Sequence, residues 1–175
     1  MDLKKYVRTV PNWPKPGIMF RDITTILKDP AGYKLAVDLL LEHYRDLDFD
    51  KVIAIESRGF VFGSLLAYEL GKGLIMVRKP GKLPAERVRK EYSLEYGTDA
   101  IEMHKDSLSE GERVVVIDDL LATGGTALAS AQLCEELGAK VVEMGFVIDL
   151  PDIGGSERLE REGYKVFKLI DFEGD

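Results

Sequence analysis

Short runs of apolar, mostly β-branched residues alternate with segments of helical periodicity along most of this chain. These apolar runs lack the alternation of strands that have one solvent-exposed face, and they are typical of strands that helices cover on both sides. This alternation favours an α/β fold with a doubly wound, mainly parallel sheet flanked by helices. We predict strands at 51–56, 74–79, 113–118, 140–149 and 165–170, and helices at about 60–70, 125–137 and 155–163.

The N-terminal stretch departs from that alternation. It is rich in proline between residues 11 and 17, so we expect it to be irregular up to Asp29. Asp29 followed by Pro30 is typical of a helix start, and we predict a helix from there through Leu47. Its core-facing stripe consists of Leu35, Leu39, Leu40 and Tyr44.

The amino-acid composition favours a globular protein and disfavours a membrane or nucleic-acid-binding protein. A chain of 175 residues with 45% hydrophobic and 31% charged residues has a globular balance, and we expect one domain over residues 1–175. No apolar run approaches the roughly 20 residues of a membrane helix. The net charge of -7 disfavours a nucleic-acid surface. With one cysteine and no secretory signal, we expect a cytoplasmic protein without nucleic-acid or membrane partners.

The most informative segment joins the third predicted strand to a helix. That strand ends in Asp118 and Asp119, and residues 122–126, ATGGT, lead into the helix. Glycines let successive N–H groups point at one anion, and the helix N-terminus adds partial positive charge. The Walker A lysine does not occur in this chain, so a phosphate cradle other than a P-loop is predicted. The two carboxylates ahead of it suit the vicinal hydroxyls of a ribose.

Two further segments carry candidate anion-binding groups. Arg58 follows the first predicted strand, beside a glycine and a helix start, where its planar guanidinium can bind an anion. Residues 78–97 are basic, contain Pro and Gly, and form a connection of a length uncommon in compact domains unless it is functional. Their charge suits a lid over an anionic ligand, although a solvated loop is the alternative.

The segment PGIMFRDIT at 16–24 is ambiguous from its residues alone. Its apolar side chains could belong to the core, or Phe20 could stack on a base.

Taken together, DDLLATGGT at 118–126, ESRGF at 56–60, the basic segment and PGIMFRDIT resemble the motifs of the type I phosphoribosyltransferases, in their adenine branch. The resemblance covers essentially the whole chain and implies that Asp118 and Asp119 hold the ribose hydroxyls of phosphoribosyl pyrophosphate (PRPP). The residues that would wrap its 5-phosphate are Ala122, Thr123, Gly124, Gly125 and Thr126.

The same resemblance implies a hood over the purine at residues 1–30 and a flexible catalytic lid at residues 79–96. Glu95 would act on the purine when the lid closes, and Arg58 would be the second catalytic residue. The residues implied to bind pyrophosphate are Ser57, Arg58, Arg78, Lys79 and Lys82, and those implied to bind adenine are Met19, Phe20, Arg21 and Ile153.

The implied activity is purine salvage: adenine and PRPP would give AMP and pyrophosphate, with Mg²⁺ held mainly by the substrate, in a homodimer. Within the resemblance, the second candidate is an enzyme specific for xanthine or for hypoxanthine and guanine. It is weakened because Ala122 stands where enzymes for 6-oxopurines usually carry an acid/base aspartate. A non-catalytic protein that senses PRPP is the alternative from another class. His43, His104 and Cys134 are expected to be structural or exposed, and the role of Trp13 stays open.

Overall fold

The computed structural model of the chain describes residues 2–94 and 97–174. The strands are β1 (Arg8–Pro11), β2 (Met19–Asp22), β3 (Lys51–Ile55), β4 (Gly73–Val77), β5 (Arg87–Ser93), β6 (Thr98–His104), β7 (Arg113–Leu121), β8 (Lys140–Asp149) and β9 (Val166–Asp171). The α-helices are α1 (Thr24–Lys28), α2 (Pro30–Tyr44), α3 (Gly59–Glu69), α4 (Gly125–Glu136) and α5 (Gly155–Arg161), with 3₁₀ turns at Leu3–Tyr6 and Pro151–Ile153.

A parallel sheet in the order β4-β3-β7-β8-β9 forms the centre of the molecule. Successive side chains of a strand point to opposite faces, and β7 shows this clearly. Val114 and Val116 pack with α4 and α5, whereas Val115 and Ile117 pack with α1, α2 and α3. Helices therefore cover both faces, as the continuous apolar runs predicted, and the doubly wound α/β fold is confirmed.

Helix α2 begins where the sequence predicts. The Asp29 carboxylate accepts hydrogen bonds from the N–H groups of Ala31 and Gly32 at 2.9 and 3.0 Å, with Pro30 in the first turn. The helix ends at Tyr44, three residues before the predicted end, and the chain then turns to bury Phe49. Its buried stripe is Gly32, Ala36, Leu40 and Tyr44, with Leu35 and Leu39 half-buried beside it.

The prediction of an irregular N-terminus is wrong. Strands β1 and β2 pair antiparallel, with Val10 opposite Phe20. The prolines are compatible with this hairpin because Pro11 ends its strand and the other two lie in the connection. Within that connection, the N–H of Gly17 donates to the Asn12 side chain at 2.9 Å.

The lid is only partly the loop that the sequence predicts. Residues 79–86 lie outside regular secondary structure, but β5 pairs antiparallel with β6. Although the sequence of β5 is mostly polar, burial alternates along it: Val88, Lys90 and Tyr92 are half-buried and their neighbours are exposed. Val88 and Tyr92 pack against the core on the α4 side of the sheet, which explains why this basic segment is ordered as a strand.

None of the helices within residues 2–94 and 97–174 combines the length and apolarity needed to cross a bilayer.

Candidate functional site

Three neighbouring cavities open at the carboxyl ends of the central strands, where ligands bind in sheets of this kind. Their volumes are about 420, 110 and 720 Å³. We call them the diphosphate cavity, the phosphate cavity and the purine cavity, after the ligand groups that the sequence assigns to them. Asp118, Leu120 and Thr126 line both of the first two, and Thr123 lines both of the last two. The three cavities are thus contiguous around one loop.

That loop connects β7 to α4 and encloses the smallest cavity. All five residues of the predicted cradle, Ala122 to Thr126, line the phosphate cavity. Gly124 has φ +77°, a conformation that side chains other than glycine rarely adopt, and α4 begins at the next residue. The loop therefore places the N-terminus of a 12-residue helix beside the cavity, with its partial positive charge available to an anion.

Gly155 at the start of α5 supports this loop from behind, which the sequence did not indicate. A Cβ atom at Gly155 would lie 2.2 Å from the carbonyl oxygen of Ala122 and 3.0 Å from the nitrogen of Gly124. From the same helix, Arg158 donates to the carbonyl of Thr123 at 3.3 Å. Helix α5 thus fixes the cradle by backbone contact.

The two aspartates differ in their surroundings. Asp119 is buried, and its carboxylate accepts a hydrogen bond from Nε of Arg58 at 2.5 Å. Asp118 lines both polar cavities and accepts a hydrogen bond from the N–H of Asp119 at 2.8 Å. Desolvation, together with the neighbouring Asp119 carboxylate, raises the pKa of Asp118 well above its ordinary value. An unusually readily protonated carboxyl group, that of Asp118, therefore adjoins the phosphate loop beside the ion-paired Asp119.

Arg58 and Ser57 lie where the sequence predicts, between β3 and α3, and both line the diphosphate cavity. Half of the Arg58 side chain is exposed, although its Nε is used by Asp119. The remaining guanidinium donors leave Arg58 able to bind an anion while it stabilises that carboxylate. The sequence did not predict the Arg58–Asp119 pair, which joins residues far apart in the chain.

The other basic residues gather around a carboxylate that sequence reasoning missed. Glu56 accepts a hydrogen bond from the N–H of Lys79 at 2.7 Å and forms ion pairs with Arg78 and Lys82. Although burial opposes its ionisation, the Lys82 and Lys79 hydrogen bonds lower the pKa of Glu56. Glu56 and Lys79 line the diphosphate cavity, whereas Arg78 and Lys82, which pair with Glu56, are not part of that lining.

Lys79 has its own partners. Its ammonium group pairs with Asp99 and donates to the hydroxyl of Tyr92 at 3.1 Å. Desolvation acts to lower the pKa of Lys79, but the hydrogen bonds to Asp99 and Tyr92 raise it overall. The lysine therefore carries its positive charge into the diphosphate cavity.

The purine cavity contains all four predicted base-binding residues: Met19, Phe20, Arg21 and Ile153. Trp13 packs edge-on against Phe20, with ring centroids 4.4 Å apart. Gly17 and Ile18 belong to the predicted segment at 16–24 and also line this cavity. Sequence reasoning did not assign the remaining lining residues to the purine because they come from distant parts of the chain: Ser93, Leu94, Thr123, Leu150 and Arg158.

Two features hold Arg21 in this wall. Its guanidinium donates to the hydroxyl of Thr9 at 2.7 Å, and it lies 4.7 Å from the ring centroid of Phe172. The predicted catalytic residue Glu95 falls outside the described residues, and Leu94 is the nearest described residue before it.

The expectations for the histidines and the cysteine hold. His43 stacks on Phe167 at 3.4 Å and contacts Glu143 at 2.5 Å, away from the three cavities. His104 ends β6. Cys134 is fully buried, and desolvation raises its pKa to about 12, so it is a core residue and not a nucleophile.

Comparisons with known proteins agree with this geometry. Residues 22–174 match the model of the phosphoribosyl transferase domain. The chain is 57% identical over 177 residues to an adenine phosphoribosyltransferase of Chlorobaculum parvum, with both chains covered completely. The crystal structure of adenine phosphoribosyltransferase from Thermoanaerobacter pseudethanolicus matches with a TM-score of 0.93 and 49% identity, covering 97% of this chain and 98% of that one.

A more distant relative carries ligands. The Saccharomyces cerevisiae adenine phosphoribosyltransferase, crystallised with D-2,5-dideoxy-2,5-imino-altritol 1,6-bisphosphate and adenine, has a TM-score of 0.88 and 38% identity, with 96% of each chain covered.

Proposed function

Since the chain belongs to the phosphoribosyl transferase family, and within it to the adenine phosphoribosyltransferases, we propose that it converts adenine and PRPP into AMP and pyrophosphate. One observation carries the proposal: the phosphate cavity shares residues with a polar cavity on one side and with a largely apolar cavity on the other. A ribose 5-phosphate bound there would present its anomeric carbon between a diphosphate and a purine.

The cradle and the aspartates hold the ribose phosphate. N–H groups and threonine hydroxyls of residues 122–126 bind the 5-phosphate at the start of α4. Asp118 and Asp119 accept hydrogen bonds from the ribose hydroxyls, and the buried pair with Arg58 keeps Asp119 oriented.

The diphosphate cavity stabilises the leaving group. Ser57, Arg58 and Lys79 line it, and two of the three are cationic. Arg78 and Lys82 pair with Glu56, which lines the same cavity, so together they offset the negative charge of that carboxylate beside the pyrophosphate. Charge fixed at the place where negative charge develops lowers the barrier to departure of pyrophosphate.

Mg²⁺ fits this site as a partner of the substrate. Among residues 2–94 and 97–174, no cluster of three or more acidic, His or Cys side chains could hold a metal by itself. Oxygens of PRPP and water would supply most of the ligands of Mg²⁺, beside the carboxylates of Asp118 and Asp119 in the diphosphate cavity. When bound, the ion neutralises charge on the diphosphate.

The purine cavity selects the base. Phe20 supplies a face for stacking, and Met19 and Ile153 enclose it; backbone groups near Met19 and Arg21 read the purine edge. Ala122, at the start of the cradle, cannot exchange a proton with a 6-oxopurine, which favours adenine. The relatives described above are named adenine phosphoribosyltransferases, so neither the 6-oxopurine enzymes nor a regulator gains support from them.

In the reaction, the bond between the anomeric carbon and the diphosphate oxygen breaks, and its electron pair leaves with pyrophosphate. A bond to N9 of adenine forms, and adenine loses one proton. We assign the handling of that proton, at N7, to Glu95. Such a group contributes about 10²–10⁴ in rate. The lid, residues 79–96, excludes water from the reactive sugar.

The protein acts as a cytoplasmic homodimer in this proposal. Tyr68, Leu74 and Met76 are exposed apolar residues on α3 and β4, and β4 is an edge strand of the parallel sheet. An exposed apolar face beside an edge strand is typical of a protein interface.

The test is to incubate the protein with Mg²⁺, PRPP and each purine base in turn, and to identify the nucleotide formed. AMP from adenine alone is the expected product. Formation of IMP, GMP or XMP in preference would assign another specificity, and PRPP binding without any nucleotide product would favour the regulator.

A further inference from the structure

One hydroxyl of the lid strand contacts side chains from two of the cavities. The Tyr92 oxygen accepts hydrogen bonds from Nζ of Lys79 and from Oγ1 of Thr126, each at 3.1 Å. It lies 3.2 Å from the carboxylate of Asp99, to which it donates its proton. A phenol has one donor and two acceptor sites, so all of its hydrogen-bonding capacity is used here.

The ring of Tyr92 packs on the phosphate loop. A Cβ atom at Gly125 would lie 3.3 Å from Cδ2 of the ring, so the ring lies directly against the first residue of α4. Nζ of Lys79 lies 5.7 Å from the ring centroid. Tyr92 therefore attaches β5 to the loop and also contacts Lys79, which lines the diphosphate cavity.

We infer that Tyr92 is a positioning residue for PRPP, holding Lys79 for the diphosphate and Thr126 for the 5-phosphate. This inference rests on the proposed function. Lysine is flexible, and a rigid phenol reduces the freedom that Lys79 must lose when it binds an anion. The same hydroxyl donates a hydrogen bond to Asp99, whose carboxylate would compete with the diphosphate for Lys79. This hydrogen bond weakens the hold of Asp99 on the lysine.

The substitution Tyr92→Phe removes the hydroxyl and leaves the ring packing on Gly125. We expect the KM for PRPP to rise about fivefold to tenfold, a range that corresponds to the loss of one ordinary hydrogen bond. The KM for adenine at saturating PRPP should change by less than about twofold, because Tyr92 lies outside the lining of the purine cavity.

Tyr164→Phe is the matched control. The Tyr164 hydroxyl donates to Glu135 at 2.8 Å, and neither residue lines any of the three cavities. That variant also loses a hydroxyl that bonds to a carboxylate, so it reports the cost of such a loss away from the site. Both kinetic constants should match those of the unsubstituted protein.

A second experiment tests whether Tyr92 acts through Lys79. In a Lys79→Met background, Tyr92→Phe should raise the KM for PRPP by a smaller factor than it does alone, because only the contact with Thr126 is then left to lose. Equal effects in both backgrounds would contradict the inference, as would an unchanged KM for PRPP in the single variant. Equal increases for both substrates with a lower unfolding temperature would indicate a purely structural role and overturn it. Failure of the unsubstituted protein to form AMP would instead refute the proposed function.

Discussion

Replacing Gly155 by alanine probes how the phosphate loop is held in place. Gly155 lies about thirty residues after the loop, yet its added Cβ would be 2.2 Å from the carbonyl oxygen of Ala122 and 3.0 Å from the nitrogen of Gly124. Both neighbours are backbone atoms, so no side-chain rotation can relieve the contact. The backbone at Gly155 is not in the left-handed region, so the effect comes from the contact and not from strain in φ.

The size of the effect follows from these distances. An ordinary contact begins at 3.4 Å, so the loop or α5 must move by about 1.2 Å, the difference from 2.2 Å. Overpacking of this kind costs about 1–3 kcal/mol of folding stability. A displacement near 1 Å in a binding loop can cost about 10²-fold, so we expect kcat/KM for PRPP to fall by about 10-fold to 100-fold.

The assay combines steady-state kinetics with calorimetric titration of AMP, whose affinity should weaken in parallel. Gly73→Ala is the control, because its Cβ would meet only the flexible Lys51 side chain, at 3.4 Å. If Gly155→Ala bound AMP as tightly as the unsubstituted protein, the argument that α5 holds the cradle would be refuted.

Three further predictions use other parts of the molecule. Glu95→Ala should lower turnover by about 10²–10⁴ while PRPP binding, measured by titration, stays nearly intact; unchanged turnover would remove Glu95 from the mechanism. Hydrogen bonds from Thr24 and Arg8 lower the pKa of Asp22 to about 2 from 3.8. Its ionised form therefore stabilises the fold above pH 4, and this contribution is lost as the pH falls from about 4 to 2. Asp22→Asn should thus lower the free energy of unfolding, measured by chemical denaturation at pH 6, by about 1–2 kcal/mol. This difference should disappear near pH 2, and its persistence there would refute the assignment. Met76→Glu should yield monomers in sedimentation velocity, whereas an unchanged dimer would place the interface elsewhere.

The middle of the central sheet was predictable from the sequence because β3, β7 and β8 are buried on both faces. The apolar run of β7 is continuous and shows no helical alternation of polar and apolar residues, so it was predicted as a strand. That prediction is correct for residues 113–118. The strand continues to Leu121 because Leu120 and Leu121 still pair with β8. Helix α2 was predicted correctly at its capped start but not at its end, where no glycine or proline terminates it.

Strands with polar sequences were missed for the opposite reason. In β5, Val88 and Tyr92 supply the only apolar contacts, and charged residues separate them, so composition suggested a loop. The prolines around β1 had the same effect. In both cases pairing with a neighbouring strand, and not local propensity, determines the structure.

The candidate site was predictable where its residues are contiguous. Asp118 to Thr126 form one strand-to-helix connection, so their type and order carry the chemistry. Met19, Phe20, Arg21 and Ile153 followed from family resemblance. Contacts such as Arg58 with Asp119, or Gly155 with Ala122, join distant segments and depend on tertiary packing that no local pattern encodes.

A crystal structure of the protein with AMP would show directly whether the loop at residues 122–126 binds a nucleotide phosphate. We expect the phosphate within hydrogen-bonding distance of the N–H groups of Thr123 to Thr126, the ribose hydroxyls at Asp118 and Asp119, and adenine against Phe20. AMP bound elsewhere, with the loop at residues 122–126 making no contact with its phosphate, would contradict this expectation.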